Sequence, residues 1–495
     1  MTDRPNILLI VTDHFRADLI SGALGGAVPL PSLRRFAEES VVFEQHFSVT
    51  PPCGPSRVSL LSGQYAMNHR AVRNGTPLRH DTPNVARVLR DGGYDPLLFG
   101  YTDVTQDPRA LSPDDPRLRS YEELLPGFSE IVRMRQETDD QVWRDHLRGK
   151  GYDVPEGMDL YRPVGGRIDA PALYRSEDSD TAYLTDRFIS HMGGLSDGWC
   201  AMLSYIRPHP PFVAPAPWNK MVDPESVPSP ATATGANVHP YINALHKTKS
   251  VARLVEGFPD LEPSPENIKT LRAIFLGLAA EVDHHVGRVL DWLKSSGQLE
   301  STLVIFTADH GDTLGDYGLW GKESFFDSAF HVPLMIRIPG IAPRTVGAMT
   351  ESIDIAPTIL DFAGCVVPDS MDGESLNELA KSGVGGRDQS FSEHDFGNPI
   401  SPTSRQEMLG LRAHAANFGV LRTATHRLVH FAGDLPQVVF DITNEGEARD
   451  ISHDEGAGPI SLDLSIKMLC LRMQNPEGTF ARTMVTEEGV MTGSA

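Results

Sequence analysis

Cysteine is scarce in this chain, and its four cysteines share no pattern. Cys53, Cys200, Cys365 and Cys470 stand far apart, which excludes a dense disulfide framework and a cysteine-rich metal site. Basic side chains are in deficit: 44 Lys and Arg against 66 Asp and Glu leave a net charge of −22. That balance argues against nucleic acid or an anionic membrane as the main partner. It still admits a small anionic substrate, because a metal and a few cations can reverse the field locally. Long hydrophobic runs are missing too. Residues 6–11 hold too few apolar side chains for a signal-peptide core and lead directly into Asp13. No other stretch approaches a membrane span, so the expectation is a cytoplasmic protein. Internal repeats and low-complexity tracts are also lacking. What is present suits a globular protein: 495 residues, 40% hydrophobic, enough for a large domain and a smaller one.

The stretch from Val49 to Gly63 reads as a loop turning into a helix. Pro51, Pro52 and Gly54 keep the chain out of helix, Pro55 suits a first helical turn, and Gly63 is a good stop. Cys53 therefore falls at or just before a helix N-terminus, where free N–H groups and the dipole favour an anion. Arg57 lies one turn further on and can share a site with it.

Elsewhere strands alternate with helices. Strands are expected at Asn6 to Val11, Val41 to Phe47, Tyr94 to Gly100, Trp199 to Tyr205, Thr302 to Thr307 and Val332 to Ile338. Helices are expected at Pro31 to Ser40, from Thr82 to the Gly92-Gly93 stop, at Asp180 to Met192, Pro265 to Ser295 and Asp354 to Phe362. Residues 104–178 and 213–264 are polar and rich in proline, and read as insertions over the site. Beyond residue 385, short strands at Gly419 to Arg422, Leu428 to Phe431 and Val438 to Ile442 suggest an antiparallel sheet, with a helix near Leu462 to Arg472. The tail from Asn475 shows no pattern. Several strands end in groups able to hold a metal or an oxyanion: Asp13 and His14, His209, then Asp309 and His310. Singly these are common turn residues. Together, at strand ends that converge in an open α/β sheet, they point to a site. His284 and His285, beside Asp283, read as a polar helix face without a site role. His69 and Arg70 fit structural pairing as well as a site contact, and His394 and Asp395 are not assigned to the site.

The pentamer Cys53-Gly54-Pro55-Ser56-Arg57 resembles the signature of the type I sulfatases, in which the cysteine is oxidised to formylglycine. The resemblance extends through Asn6 to Asp13, the Asp309-His310-Gly311-Asp312 turn, Gly321-Lys322, and Phe440-Asp441. Within the alkaline phosphatase superfamily the chain is most similar to the branch of phosphonate monoester hydrolases, phosphodiesterases and arylsulfatases. That likeness rests on Cys53 to Pro77, Gly100-Tyr101-Thr102, Arg207 to Ala214 and Glu351 to Asp354. The resemblance implies an α/β fold of alkaline phosphatase type. A large, mixed, mostly parallel sheet flanked by helices would occupy residues 1–384. A smaller C-terminal α+β domain with an antiparallel sheet and an extended tail would occupy 385–495.

The same resemblance implies roles. Asp13, His14, modified Cys53, Asp309 and His310 would bind one divalent metal. Arg57 would hold the oxygens of the nucleophile. Asn74, Tyr101, Asp103, His209 and Lys322 would line the substrate, with His209 or Lys322 protonating the leaving group. Family members usually carry an oxygen ligand at position 14; His14 favours manganese, with calcium as the alternative. The close branch has Thr at position 103. A carboxylate there would disfavour dianions, and an Asp103→Thr exchange would then raise phosphate monoester turnover. The expected activity is hydrolysis of sulfate monoesters through a covalent sulfo-enzyme hemiacetal, ranked first because Ser56 keeps the sulfatase form of the signature. Phosphonate monoester or phosphodiester hydrolysis is the alternative. A serine-type phosphatase relative and an anion-binding receptor with unmodified Cys53 are the competing classes. Implied partners are a small anionic ester, a formylglycine-generating maturation enzyme, and further copies of the chain in a dimer or tetramer.

Overall fold

The computed structural model describes residues 4–135, 139–234, 238–479, 483–487 and 489–492. Eight strands form the main sheet: β1 (Asn6–Thr12), β2 (Val41–Phe47), β3 (Pro96–Gly100), β4 (Ser129–Arg133), β5 (Cys200–Tyr205), β6 (Thr302–Ala308), β7 (Leu334–Arg337) and β8 (Arg344–Glu351). Their order is β4-β3-β5-β1-β6-β7-β2-β8. Every neighbouring pair is parallel except the two made by β7, which runs against both β6 and β2. The sheet is thus mixed and mostly parallel, as expected.

β1, β5 and β6 form its centre and are buried throughout, which is why they read as unbroken apolar runs. β1 divides its side chains between the two faces. Leu8 and Ile10 pack with the 31-residue helix Pro265–Ser295, whereas Ile7, Leu9 and Val11 pack with the helices Cys53–Ser62 and Ile355–Phe362. Each such side chain contributes roughly 1.5–3 kcal/mol, so the strand end that carries Asp13 is firmly held. Ser264 caps the long helix by accepting from Asn267 N, and Pro265 opens it.

Four further strands form an antiparallel sheet in the order β12-β11-β10-β9: β9 (Gln389–Asp395), β10 (Asn417–Thr423), β11 (His426–Phe431) and β12 (Val438–Asp441). One face buries Phe418, Phe431 and Phe440 against Phe325, Phe326 and Tyr241. The other buries Phe391, Leu421 and Leu428 against Leu464, Met468 and Leu471 of the C-terminal helix Ala457–Gln474. β9 also docks on the loop before Cys53. Glu393 N donates to Val49 O at 2.8 Å, and Ser392 Oγ donates to Ser48 O at 2.8 Å.

The structure differs from expectation in three places. Residues 104–178 are not wholly an insertion, since β4 extends the main sheet at its edge. β8 and β9 are additional strands. The patternless tail contains a hairpin, β13 (Thr483–Thr486) with β14 (Gly489–Thr492). No helix among the described residues is long and apolar enough to cross a membrane.

Candidate active site

The register of three strands builds the floor. Thr12 at the end of β1 pairs with Tyr205 of β5 and Ala308 of β6. Asp13 N then donates to Tyr205 O at 3.2 Å, and Asp309 N to Thr12 O at 3.1 Å, so the two aspartates emerge side by side. β3 delivers Tyr101 through Gly100, whose φ is +109°. A Cβ there would lie 2.3 Å from Ser204 O, so only glycine fits.

Cys53 is the first residue of a ten-residue helix that is buried throughout and stopped by Gly63 at φ +67°. Ser56 Oγ donates to Asp309 O at 2.5 Å and ties this helix to the end of β6. Gly54 N donates to Asn74 Oδ1 at 3.1 Å. The Cys53 sulfur lies 2.8 Å from Lys322 Nζ, 3.4 Å from His310 Nε2 and 3.9 Å from Asp13 Oδ1. Arg57 is fully buried. Its Nε donates to Asp309 Oδ2 at 3.0 Å, Nη1 to Ser204 Oγ at 2.6 Å, and Nη2 to the Tyr101 hydroxyl at 2.7 Å. That hydroxyl donates in turn to Asp13 Oδ2 at 2.5 Å. Arg57 and Tyr101 thus brace the two aspartates from beneath.

Asp312 joins two other parts. Its Oδ2 lies 2.6 Å from His14 Nδ1, while Oδ1 accepts from Leu314 N at 2.7 Å and Gly321 N at 3.0 Å. Burial works to raise this carboxyl, but the hydrogen bond from His14 holds it at about 2. An ionised Asp312 accepts the hydrogen bond from Nδ1–H and leaves Nε2 of His14 as the lone-pair nitrogen, 3.5 Å from Asp13 Oδ1 and 2.9 Å from Lys322 Nζ. His209 closes the upper side. Its ring centroid is 4.6 Å from that of His14, and Arg207 Nη1 holds its backbone carbonyl at 3.0 Å.

The charges divide sharply. Burial works to raise Asp13, yet the Lys322 ammonium holds it well below the usual carboxylate range. Burial and the Asp13 charge push Asp309 up to about 7. Burial lowers His310 and His209 far below an ordinary histidine, so both are neutral. Burial opposes the Lys322 charge, but Cys53, Asp13 and Asp309 raise it and keep the ammonium protonated. Burial, then the Asp13 charge, raise the Cys53 thiol well above its usual value.

These donors suit a divalent ion. Asp13, Cys53, Asp309 and His310 place one ligand atom each within 4.8 Å of one another, and so do Asp13, His14 and His209. A low-lying carboxylate, a neutral imidazole, and a histidine whose far nitrogen donates to a carboxylate are the usual state of metal ligands.

Comparison with known proteins agrees with this geometry. A family model described as Sulfatase matches residues 5–365. The chain belongs to the sulfatase family. Membership places it in the alkaline phosphatase superfamily and implies a divalent metal and a formylglycine at the signature cysteine. A second model, N-sulphoglucosamine sulphohydrolase, C-terminal, matches residues 315–474 of this sulfatase-family chain. It is 34% identical to the multifunctional alkaline phosphatase superfamily protein PehA of Trinickia caryophylli, over 99% of each chain. Among solved structures, a phosphonate monoester hydrolase from Silicibacter pomeroyi matches with a TM-score of 0.96 and 47% identity, over 99% of each chain. One from Agrobacterium radiobacter matches with 0.94 and 37%, over 99% of this chain and 100% of that one.

Asp13, His14, Cys53, Asp309, His310, His209 and Lys322 converge on one point of this sulfatase-family fold. Asn74 is exposed and grips the Cys53 turn; Asp103 is buried beside Gly54. Sequence reasoning assigned no role to Asp312 or Ser204. The available signal was position, since Ser204 is at the end of β5 and Asp312 is in the Asp309 turn. His69 is a structural residue, with Nε2 2.9 Å from Ser59 Oγ and Nδ1 accepting from Ala71 N at 3.1 Å. The expected polar face at residues 283–285 is not one. Asp283 and His285 are buried, and Asp283 accepts from Ser32 N and Leu33 N.

Proposed function

We propose that this protein is a formylglycine- and divalent-metal-dependent hydrolase of monoanionic esters, with phosphonate monoesters and phosphodiesters first. Sulfate monoesters are the second reading. The order reverses that drawn from the signature. Ser56 is directed at Asp309 O and at Ser48 Oγ, 3.2 Å away, so its hydroxyl tethers the helix and carries no information about the substrate. The two full-length relatives at 47% and 37% identity are phosphonate monoester hydrolases.

The observation that carries the reading is the setting of Cys53. Its thiol heads a helix among Asp13, Asp309, His310 and Lys322, and burial and the Asp13 charge raise it well above its usual value. A formylglycine there would supply a geminal diol, one hydroxyl as nucleophile and the other to release the acid product. A divalent ion held by Asp13, Asp309 and His310, with His14, would supply Lewis-acid charge, and the donor set fits manganese better than calcium. Lys322 meets the ester oxygens with a protonated ammonium. His209 is neutral, so Lys322 is the better donor to a departing alkoxide, with His209 orienting it. Arg57 and Tyr101 hold the aspartates at fixed angles. We also propose homo-oligomers formed through the C-terminal helix, where Leu462, Ile466, Leu469 and Met473 form an exposed stripe at spacings of 4, 3 and 4.

The test is kcat/KM for an aryl phosphonate monoester, an aryl phosphodiester and an aryl sulfate, on manganese-loaded protein made with a maturation enzyme. A peptide mass at Cys53 accompanies it. Preference for the phosphorus esters supports the order given, and preference for sulfate reverses it. An unaltered thiol with full turnover refutes the formylglycine.

A further inference from the structure

Pro208, Pro210 and Pro211 surround His209, so the turn from 208 to 211 owns a single backbone N–H. It belongs to His209 and donates to Ile206 O at 3.0 Å. The turn therefore has no donor left for its own carbonyls, and a buried carbonyl without one is costly. Two side chains supply the bonds. Arg207 Nη1 donates to His209 O and to Pro211 O, each at 3.0 Å, and Val213 N reaches Pro211 O as well, at 2.9 Å. The carbonyl between them, Pro210 O, bonds to His209 Nδ1.

A carbonyl oxygen only accepts. Nδ1 of the neutral His209 ring therefore carries the proton, and Nε2 carries the lone pair. One ring nitrogen of His209 lies within 4.8 Å of a ligand atom on Asp13 and of one on His14, so the tautomer decides what the ring shows these groups. Arg207 is itself firmly held. It is buried, and its Nε donates to Asp180 Oδ2 at 2.9 Å. Asp180 is also buried and opens the helix Asp180–Met192, where its Oδ1 accepts from Thr181 N at 2.8 Å. The guanidinium carbon lies 5.5 Å from the centroid of the Tyr161 ring, and the Tyr161 hydroxyl donates to Asp140 Oδ2 at 2.7 Å. One side chain thus ties a helix and the polar segment 104–178 to the turn that carries His209. A lysine would keep the charge but not the fork that serves Asp180 and two carbonyls at once.

We propose that Arg207, tethered by Asp180, is a positioning residue for His209. By gripping the carbonyls on either side of Pro210 it aims Pro210 O at His209 Nδ1, and so fixes the tautomer and heading of the ring. Arg207 acts on the ester only through that ring. The inference rests on the hydrolase reading for the step it serves, in which His209 orients the Lys322 ammonium that protonates the departing alkoxide. That help is worth most to a poor leaving group, since a stabilised phenolate departs without a proton.

The first arm of the test follows the His209 ring nitrogens by NMR in calcium-loaded protein, which is diamagnetic, labelled at histidine and assigned with His209→Gln. The wild type should carry the proton on Nδ1, and Arg207→Lys should show a mixture of tautomers. The second arm compares the methyl and para-nitrophenyl monoesters of phenylphosphonate on manganese-loaded protein. Arg207→Lys should cost the methyl ester at least about tenfold in kcat/KM and the nitrophenyl ester less than about threefold. In a His209→Gln background the same exchange should cost little more, because the ring it positions is gone. A purely structural role would lower both esters alike and add in full to His209→Gln, and that result overturns the proposal. A proton on Nε2 in the wild type, or an unchanged tautomer in folded Arg207→Lys, also overturns it. If Arg207→Lys does not fold, Asp180→Asn removes the ionic tether and should move both readouts the same way by a smaller amount; no movement in either overturns the proposal. A tautomer shift without hydrolysis of either ester, in protein with verified formylglycine, overturns the hydrolase reading and leaves the positioning role standing.

Discussion

Replacing Arg57 with alanine removes a fully buried guanidinium from between two buried carboxylates. Its contacts define the loss: Asp309 Oδ2 at 3.0 Å, Ser204 Oγ at 2.6 Å, the Tyr101 hydroxyl at 2.7 Å and Tyr101 O at 3.2 Å, with Asp13 Oδ2 3.8 Å away. Breaking a buried ion pair from one side costs about 3–5 kcal/mol, because the remaining charge is left uncompensated. Asp309 is the group left exposed to this, since burial and Asp13 already raise it. A divalent ion bound by Asp13 and Asp309 would replace much of the missing positive charge. Arg57→Ala should therefore melt well below the wild type after chelation and recover part of the difference on manganese loading. The metal-induced rise in melting temperature should be larger in the variant than in the wild type. Arg57→Lys keeps the charge but not the fork and should fall between them. Scanning calorimetry with and without manganese measures all six states. Equal melting of variant and wild type without metal would refute the reasoning, as would a loss that manganese leaves unchanged.

Further predictions concern the turn, the support and the core. Gly54→Ala would place a Cβ 2.9 Å from Asn74 Oδ1 and Asp103 O, so kcat should fall roughly 100-fold through displacement of Cys53; steady-state kinetics check it. Asp312→Asn removes the acceptor that orients His14 and should weaken manganese binding roughly 10–100-fold, read by calorimetric titration. Cys53→Ser should abolish multiple turnover, with at most one product burst per chain in rapid-quench kinetics. Glu281, in the long helix, is buried, and desolvation lifts it from 4.5 to about 8. Between those values the folded chain holds a proton that the unfolded chain releases, so this contribution is complete below pH 4.5 and lost as pH rises through 8. Glu281→Gln should therefore gain on the wild type by about 1.4 kcal/mol per pH unit across that window. Melting curves at pH 5, 6.5 and 8 test it.

The parts that could be read from sequence share a physical cause. β1, β5 and β6 are buried on both faces, so they appear as continuous apolar runs, and the residues just past them are where a parallel sheet gathers ligands. That alone located Asp13, His14, His209, Asp309 and His310. β4, Ser129–Arg133, is a short edge strand with one buried side chain. β8 is half-exposed along its first five residues, and β9 has Phe391 as its one bulky apolar side chain. Their pairing comes from strands outside the local window, β3 for β4, β2 for β8 and β10 for β9, and leaves no local period. The same holds for Asp312, whose partner His14 is 298 residues distant, and for Ser204, 147 residues from Arg57.

The docking of β9 onto the loop before Cys53 sets a schedule. Ser48 is held by Ser392 from 344 residues later, and Pro51 O lies 3.3 Å from His394 Nδ1. During synthesis at 5–20 residues per second, that clamp does not exist for roughly 20–70 s after the cysteine emerges. Throughout that interval the signature is a free segment that can lie extended in the cleft of another enzyme. Once β9 arrives, the same segment is sealed inside the protein. On the proposed reading, conversion of Cys53 belongs to the nascent chain. A pool that folds before the maturation enzyme reaches it would stay unconverted for the life of the protein, so the active fraction in a preparation would record the race between translation and modification.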